Sequence, residues 1–193
     1  MEQTLSDKTP ERLRKAEAIL AQMDDIEYGY LDKNGVVHRE SDDDFDQAEF
    51  GNYRLQTHKQ VAHTRVGVCW DQVEYARHLF TEAGVPTTTY AIAYYDYEGN
   101  NYFNHTILVF EDAGRYYWFE HALQYFAGIH EFLSERELLL KFKEEFLISN
   151  QKNIPQEYKK ERLRMWRYTA LRPGSAPVEV FRTWECGEGI IGA

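Results

Sequence analysis

Leu13, Ala16, Leu20 and Met23 recur at intervals of three and four residues, the spacing of one face of an α-helix. Thr9-Pro10-Glu11 stands just before them. Thr9 is placed to cap, Pro10 suits the first helical position, and Glu11 complements the positive end of the dipole. The spacing predicts a helix that stops near Asp24-Asp25. Ile26 to Leu31 then alternates like a short strand, Asp32-Lys33-Asn34-Gly35 reads as a turn, and Val36-Val37-His38 returns as a hairpin partner. The acidic stretch from Arg39 to Glu49, with Asp42, Asp43, Asp44 and Asp46, lacks the glycine and terminal Glu of an EF-hand loop and reads as a solvated loop.

Helical spacing returns from Val68 to Gly84, where Val73, Ala76, Leu79 and Phe80 lie on one stripe and Gly84-Val85-Pro86 supplies a glycine stop followed by proline. Three strand-like runs follow, Thr87 to Tyr95, Tyr102 to Phe110 and Arg115 to Glu120, separated by the turns Asp96 to Asn101 and Glu111 to Gly114. Short turns between consecutive strands mean antiparallel pairing. Ser134 with Glu137 three residues later is a capping box, opening a helix to about Asn150 that buries Leu138, Leu139, Phe142 and Phe146. Two further strands are expected at 165–170 and 178–184 around Pro173-Gly174-Ser175, with a frayed tail from Gly187 to Ala193. Helices and strands are segregated along the chain, the mark of an α+β fold with a helix packed on an antiparallel sheet. No repeat, linker or domain boundary interrupts 1–193, so a single domain is expected.

Composition narrows the function classes. Apolar residues make up 43% of the chain, with 4 Trp, 14 Tyr and 11 Phe, enough to expect a packed core. Against 22 Lys and Arg stand 32 Asp and Glu, a net charge of −10, which disfavours a nucleic-acid partner. The basic run Lys159-Lys160-Glu161-Arg162-Leu163-Arg164 reads as a solvated face. The longest apolar run, Tyr90 to Tyr95, is far short of the ~18 residues of a membrane span. No apolar signal follows Met1, so a cytoplasmic location is expected. Cys69 and Cys186 form no CxxC, and His58 and His63, five apart, lack a matching carboxylate. No metal or cofactor is expected.

Cys69 carries the most chemistry. It stands in Arg65-Val66-Gly67-Val68-Cys69-Trp70-Asp71-Gln72, where a glycine-containing loop meets a helix start. The helix dipole and the unpaired first-turn N–H groups there favour the thiolate, and the same N–H groups can stabilise an oxyanion. The plain alternative is a small buried hydrophobe. Of the seven histidines, His105 stands out, because Asn104-His105 opens the apolar strand Thr106 to Phe110, where a polar ring needs a partner. Glu120 follows from register. With a four-residue hairpin loop, paired numbers sum to 225 and His105 faces Glu120. With a two-residue loop they sum to 227 and Glu120 is diagonal to His105 on the same face. An even sum would substitute His121.

A thiol at a helix start, a His at a strand start and an acid across its hairpin together resemble the papain-like, transglutaminase-like superfamily. The resemblance covers about residues 55–124. It rests on Gly67-x-Cys69, the helix end Ala83-Gly84-Val85-Pro86, Asn104-His105, and Trp118-Phe119-Glu120. It implies Cys69 as nucleophile, His105 as general base and Glu120 as orienting acid, with Glu where that superfamily commonly has Asp and Ile107 where it often has an aromatic residue. Gln56, Gln60, His63 and Gln72 are candidates for a side-chain donor to the oxyanion, and Cys186 has no such context.

Two functions stay open. One is cysteine-dependent acyl chemistry through a thioester: hydrolysis, peptide cleavage or acyl transfer such as transglutamination, on a peptide, protein or small acyl substrate. The other is a catalytically idle copy of the same fold that serves as a binding module.

Overall fold

The computed structural model describes residues 10–43, 45, 50–95, 101–151 and 162–190. The chain runs α1 (Glu11–Met23), β1 (Glu27–Leu31), β2 (Val37–Arg39), α2 (His58–Thr64), β3 (Val66–Gly67), α3 (Cys69–Glu82), β4 (Thr87–Tyr95), β5 (Asn101–Asp112) and β6 (Arg115–Glu120). It continues with β7 (Gly128–Phe132), α4 (Glu135–Ser149), β8 (Leu163–Tyr168), α5 (Pro177–Glu185) and β9 (Glu188–Gly189). The fold is α+β. Its main sheet has six strands in the order β7-β6-β5-β4-β8-β9, and every neighbouring pair is antiparallel. A smaller sheet, β2-β1-β3, pairs β1 with β3 in parallel. None of the described helices is long and apolar enough to cross a membrane.

The pleat of the central strands sorts side chains into two layers. Leu108 and Phe110 of β5, with Tyr117 and Phe119 of β6, face Ala76, Leu79 and Phe80 of α3 and Ala16, Ile19 and Met23 of α1. Their neighbours Ile107, Val109 and Trp118 face Leu138, Leu139, Phe142 and Phe146 of α4. A third cluster joins Cys69 and Trp70 at the start of α3 to Ala91 and Ala93 of β4, Trp166 and Tyr168 of β8, and Val180 and Trp184 of α5.

The β5–β6 hairpin closes on two residues. Ala113 and Gly114 have φ of 47° and 75°, both positive, which matches the twist of a tight hairpin. Asp112 pairs with Arg115 and Leu108 with Phe119, so the two-residue register is the one adopted and the four-residue loop is not.

Several local expectations need correction. Residues 178–184 lie in a helix, α5, and not in a strand. Pro177 occupies its first turn, the Glu179 carboxylate accepts the Ala176 N–H at 2.8 Å, and Val180 and Trp184, four apart, share the buried side. Pro10 is the N-cap residue of α1, one position before the first helical residue. The cap comes from afar: Asp112 Oδ2 accepts the N–H groups of Arg12 and Leu13 at 2.6 and 3.0 Å. Ser134 caps α4 by accepting from Glu137 N–H, but Glu137 turns to the N–H of Leu133 and not to that of Ser134. In the tail, Glu188 and Gly189 pair with Arg167 and Trp166 as a sixth strand. Thr9, Asp44, Asp46, the turn at 96–100, the basic residues 152–161 and the last residues, 191–193, lie outside the described residues.

Candidate active site

The start of α3 is held by a buried carboxylate. Val68 is extended and Cys69 is the first helical residue. Two residues on, Asp71 turns back. Its Oδ2 accepts the Val68 N–H at 3.2 Å, and its Oδ1 accepts the Gln56 N–H at 2.8 Å and the Tyr53 hydroxyl at 3.0 Å. Gly67 makes this possible, because a Cβ there would stand 2.8 Å from Asp71 Cβ. Burial raises the Asp71 carboxyl to about 7, against the pull of those three donors. Gln72 Nε2 donates to the Gly67 carbonyl at 2.7 Å, and its Oε1 meets His121 Nδ1 at 2.6 Å. Trp70 Nε1 donates to Asn104 Oδ1 at 3.0 Å, fixing the helix start to the residue beside His105.

His105 sits on β5 opposite Ile92. Its Nε2 meets Glu120 Oε2 at 2.9 Å, and both side chains are buried. The contact lies beyond the last β5–β6 pair, Leu108 with Phe119, on the diagonal that the two-residue register requires. Glu120 is held from two more sides. Trp118 Nε1 donates to Oε2 at 3.1 Å and the Leu123 N–H to Oε1 at 2.9 Å. Burial alone would lower the His105 imidazolium. The Glu120 carboxylate and a hydrogen bond with the Cys69 side chain outweigh it and raise His105 to about 10. For Glu120, burial pushes upward, but the His105 charge and the hydrogen bonds prevail and the carboxyl is lowered. The pair is therefore imidazolium and carboxylate around neutral pH, with Nε2 given to Glu120.

Cys69 is only 5% exposed, whereas Cys186 is exposed; both are free thiols. A cleft of about 680 Å³ opens at His105, lined also by Tyr28, Glu40, Asn104, Leu123 and Tyr125. A larger cavity, about 860 Å³, lies by Thr88, Arg167 and Cys186 and touches none of Cys69, His105 and Glu120, so size does not mark the site with the chemistry.

The other candidates are engaged elsewhere. Gln56 donates its amide to the Val66 carbonyl at 2.9 Å, and Gln60 completes the cap of α2 with Thr57. Gln72 is spent on Gly67 and His121, and His63 lines a separate shallow cavity with Leu31, Val37 and Lys59. The three glutamines thus make structural hydrogen bonds. His58 stacks on His78 at 3.8 Å. Among the described residues, no cluster of three or more His, Cys, Asp or Glu has the arrangement of a metal site.

Sequence reasoning missed Asp71 and Tyr28. The signal for Asp71 was in view: an acid at the third helical position, where a carboxylate reaches back to the first N–H groups. Tyr28 had none, since its place depends on a parallel pairing across the chain, Tyr28 with Gly67. Compared with known proteins, the chain matches no protein-family model and no curated sequence.

Proposed function

We propose that the protein carries out cysteine-dependent acyl chemistry, with Cys69 as nucleophile, His105 as acid and base and Glu120 as the orienting carboxylate, on a papain-like or transglutaminase-like core. The observation that supports this most is the His105 ring. It meets a buried carboxylate at 2.9 Å, and Cys69, at a helix start, is among the groups that raise its ionisation. The Cys69 sulfur forms a bond to the carbonyl carbon of an amide or ester, and the π electrons move to oxygen. As that oxyanion collapses, the leaving group departs with the proton of the His105 imidazolium, leaving a thioester on Cys69. Neutral His105 then takes a proton from the acceptor. Water gives hydrolysis or peptide cleavage; an amine gives acyl transfer. The two free thiols fit a reducing, cytoplasmic setting.

The low exposure of Cys69, 5%, favours the second reading, an idle fold whose cleft only binds. Intact-mass analysis after incubation with an activated ester separates the two. We expect an acyl adduct that maps to Cys69, is absent in Cys69→Ala, and forms far more slowly in His105→Ala than in Glu120→Gln. An adduct that survives Cys69→Ala, or none in the wild type, contradicts the proposal.

A further inference from the structure

An acyl-transfer site needs a donor where the carbonyl oxygen becomes charged. Gln56, Gln60 and Gln72 make hydrogen bonds elsewhere, and the first-turn N–H groups of α3 are backbone donors beside Cys69. We propose that the Tyr28 hydroxyl is the side-chain donor to the oxyanion, an assignment that rests on the reading of Cys69 as nucleophile.

Four observations converge on Tyr28. First, the parallel β1–β3 pairing sets Tyr28 beside Gly67, two residues before Cys69. That pairing is tight: a Cβ at Gly29 would stand 2.3 Å from the His38 carbonyl and 2.6 Å from Val66 Cγ2, so β1 is locked between its neighbours. Second, the ring packs against the cluster that contains Cys69 and Trp70, while Tyr28 also lines the cleft at His105. Third, no side-chain hydrogen bond engages the Tyr28 hydroxyl among the described residues. By contrast, the hydroxyls of Tyr53, Tyr90, Tyr95 and Tyr168 all meet protein partners. A half-buried phenol that lines a cleft and whose O–H meets no partner among the described residues is a donor held in reserve. Fourth, it stays a donor. Burial first, then the charges of Cys69, Glu40, Asp71 and Glu120, raise its ionisation well above the ordinary phenol range, so the proton remains on oxygen at any working pH.

The step balances without further reactants. The sulfur–carbon bond forms, the carbonyl π pair moves to oxygen, and the Tyr28 O–H donates a hydrogen bond to that oxygen without giving up its proton. Collapse restores the carbonyl and releases the leaving group with the His105 proton.

The test pairs two reactions of one thiol. Alkylation by iodoacetamide forms a carbon–sulfur bond with no oxyanion, whereas p-nitrophenyl acetate acylates through one. In Tyr28→Phe we expect the burst of p-nitrophenolate to slow by on the order of tenfold to a hundredfold, with Cys69 alkylation unchanged. A burst within about threefold of the wild type overturns the assignment. An equal fall in both reactions also overturns it, because Tyr28 would then act through the thiol. Absence of a Cys69-dependent burst in the wild type overturns the underlying reading, and the assignment with it. Should Tyr28→Phe fail to fold, 3-fluorotyrosine at position 28 keeps the shape and sharpens the donor: a faster burst supports the assignment and an unchanged or slower one overturns it.

Discussion

Glu120 accepts hydrogen bonds from His105, Trp118 and Leu123 in a place with almost no solvent, so removing it strands a buried imidazolium and two further donors. We expect Glu120→Ala to lose about 3 kcal/mol in urea denaturation. The pH dependence has a definite sign. Glu120 is lowered, so its contribution is present above the ordinary carboxylate range and is lost as pH falls through its depressed value. His105 is raised to about 10, so its contribution is full below the ordinary imidazole range and is lost as pH rises through about 10. The wild type should therefore gain most over Glu120→Ala between about pH 5 and 6.5, with the gap closing on both sides. At this scale the sequence was informative wherever the chemistry was local. Cys69 was readable from a helix start and Glu120 from the parity of one hairpin. Tyr28 was not, because its neighbour Gly67 is 39 positions away and joined by a parallel pair that no turn announces.

The elements depend on caps that come from other elements. Asp112, in the last position of β5, holds the N-terminus of α1 through Arg12 and Leu13. We expect Asp112→Ala to cost about 1 kcal/mol and to show as faster amide exchange in the first turn of α1, with the main sheet unaffected. Asp71 does the same for α3 with higher stakes. Asp71→Ala leaves the Val68 and Gln56 N–H groups and the Tyr53 hydroxyl without their acceptor. A loss of about 2 kcal/mol or more in urea denaturation is expected, together with slower alkylation of Cys69 as its helix start loosens. The central helix and the three middle strands were legible because periodicity and turn residues agreed there. In 178–184 they conflicted: β-branched and aromatic residues favour a strand, while Pro177, Glu179 and the Val180–Trp184 spacing favour a helix. Burial of one face decided for the helix. Long-range capping by Asp112 left no trace in the sequence near Pro10.

At the scale of the molecule, the sheet order brings the site together. Strand β4 lies between β5 and β8, so the alanines Ala91 and Ala93 leave room for Trp70, Trp166 and Trp184 to meet beneath the start of α3. Trp70 and Trp184 have ring centroids 5.7 Å apart. Trp184→Ala should therefore cost about 3–5 kcal/mol by the cavity it leaves, and it should slow reactions at Cys69 although Trp184 belongs to a distant helix. Circular dichroism melts beside alkylation rates would check both. This arrangement was beyond the sequence. The hairpin pairings followed from short turns, but the crossing from α4 back to β8 and the parallel β1–β3 pair bring together segments with no local signal between them.

The central claim is that His105 keeps Cys69 reactive. The measurement is the pH profile of iodoacetamide alkylation at Cys69, read by peptide mass against Cys186 in the same molecule and in His105→Ala. We expect Cys69 to react at least about tenfold faster than Cys186 near pH 6, despite its burial, and His105→Ala to abolish that advantage. A Cys69 whose rate follows that of Cys186 across the pH range, unchanged by His105→Ala, would contradict the account.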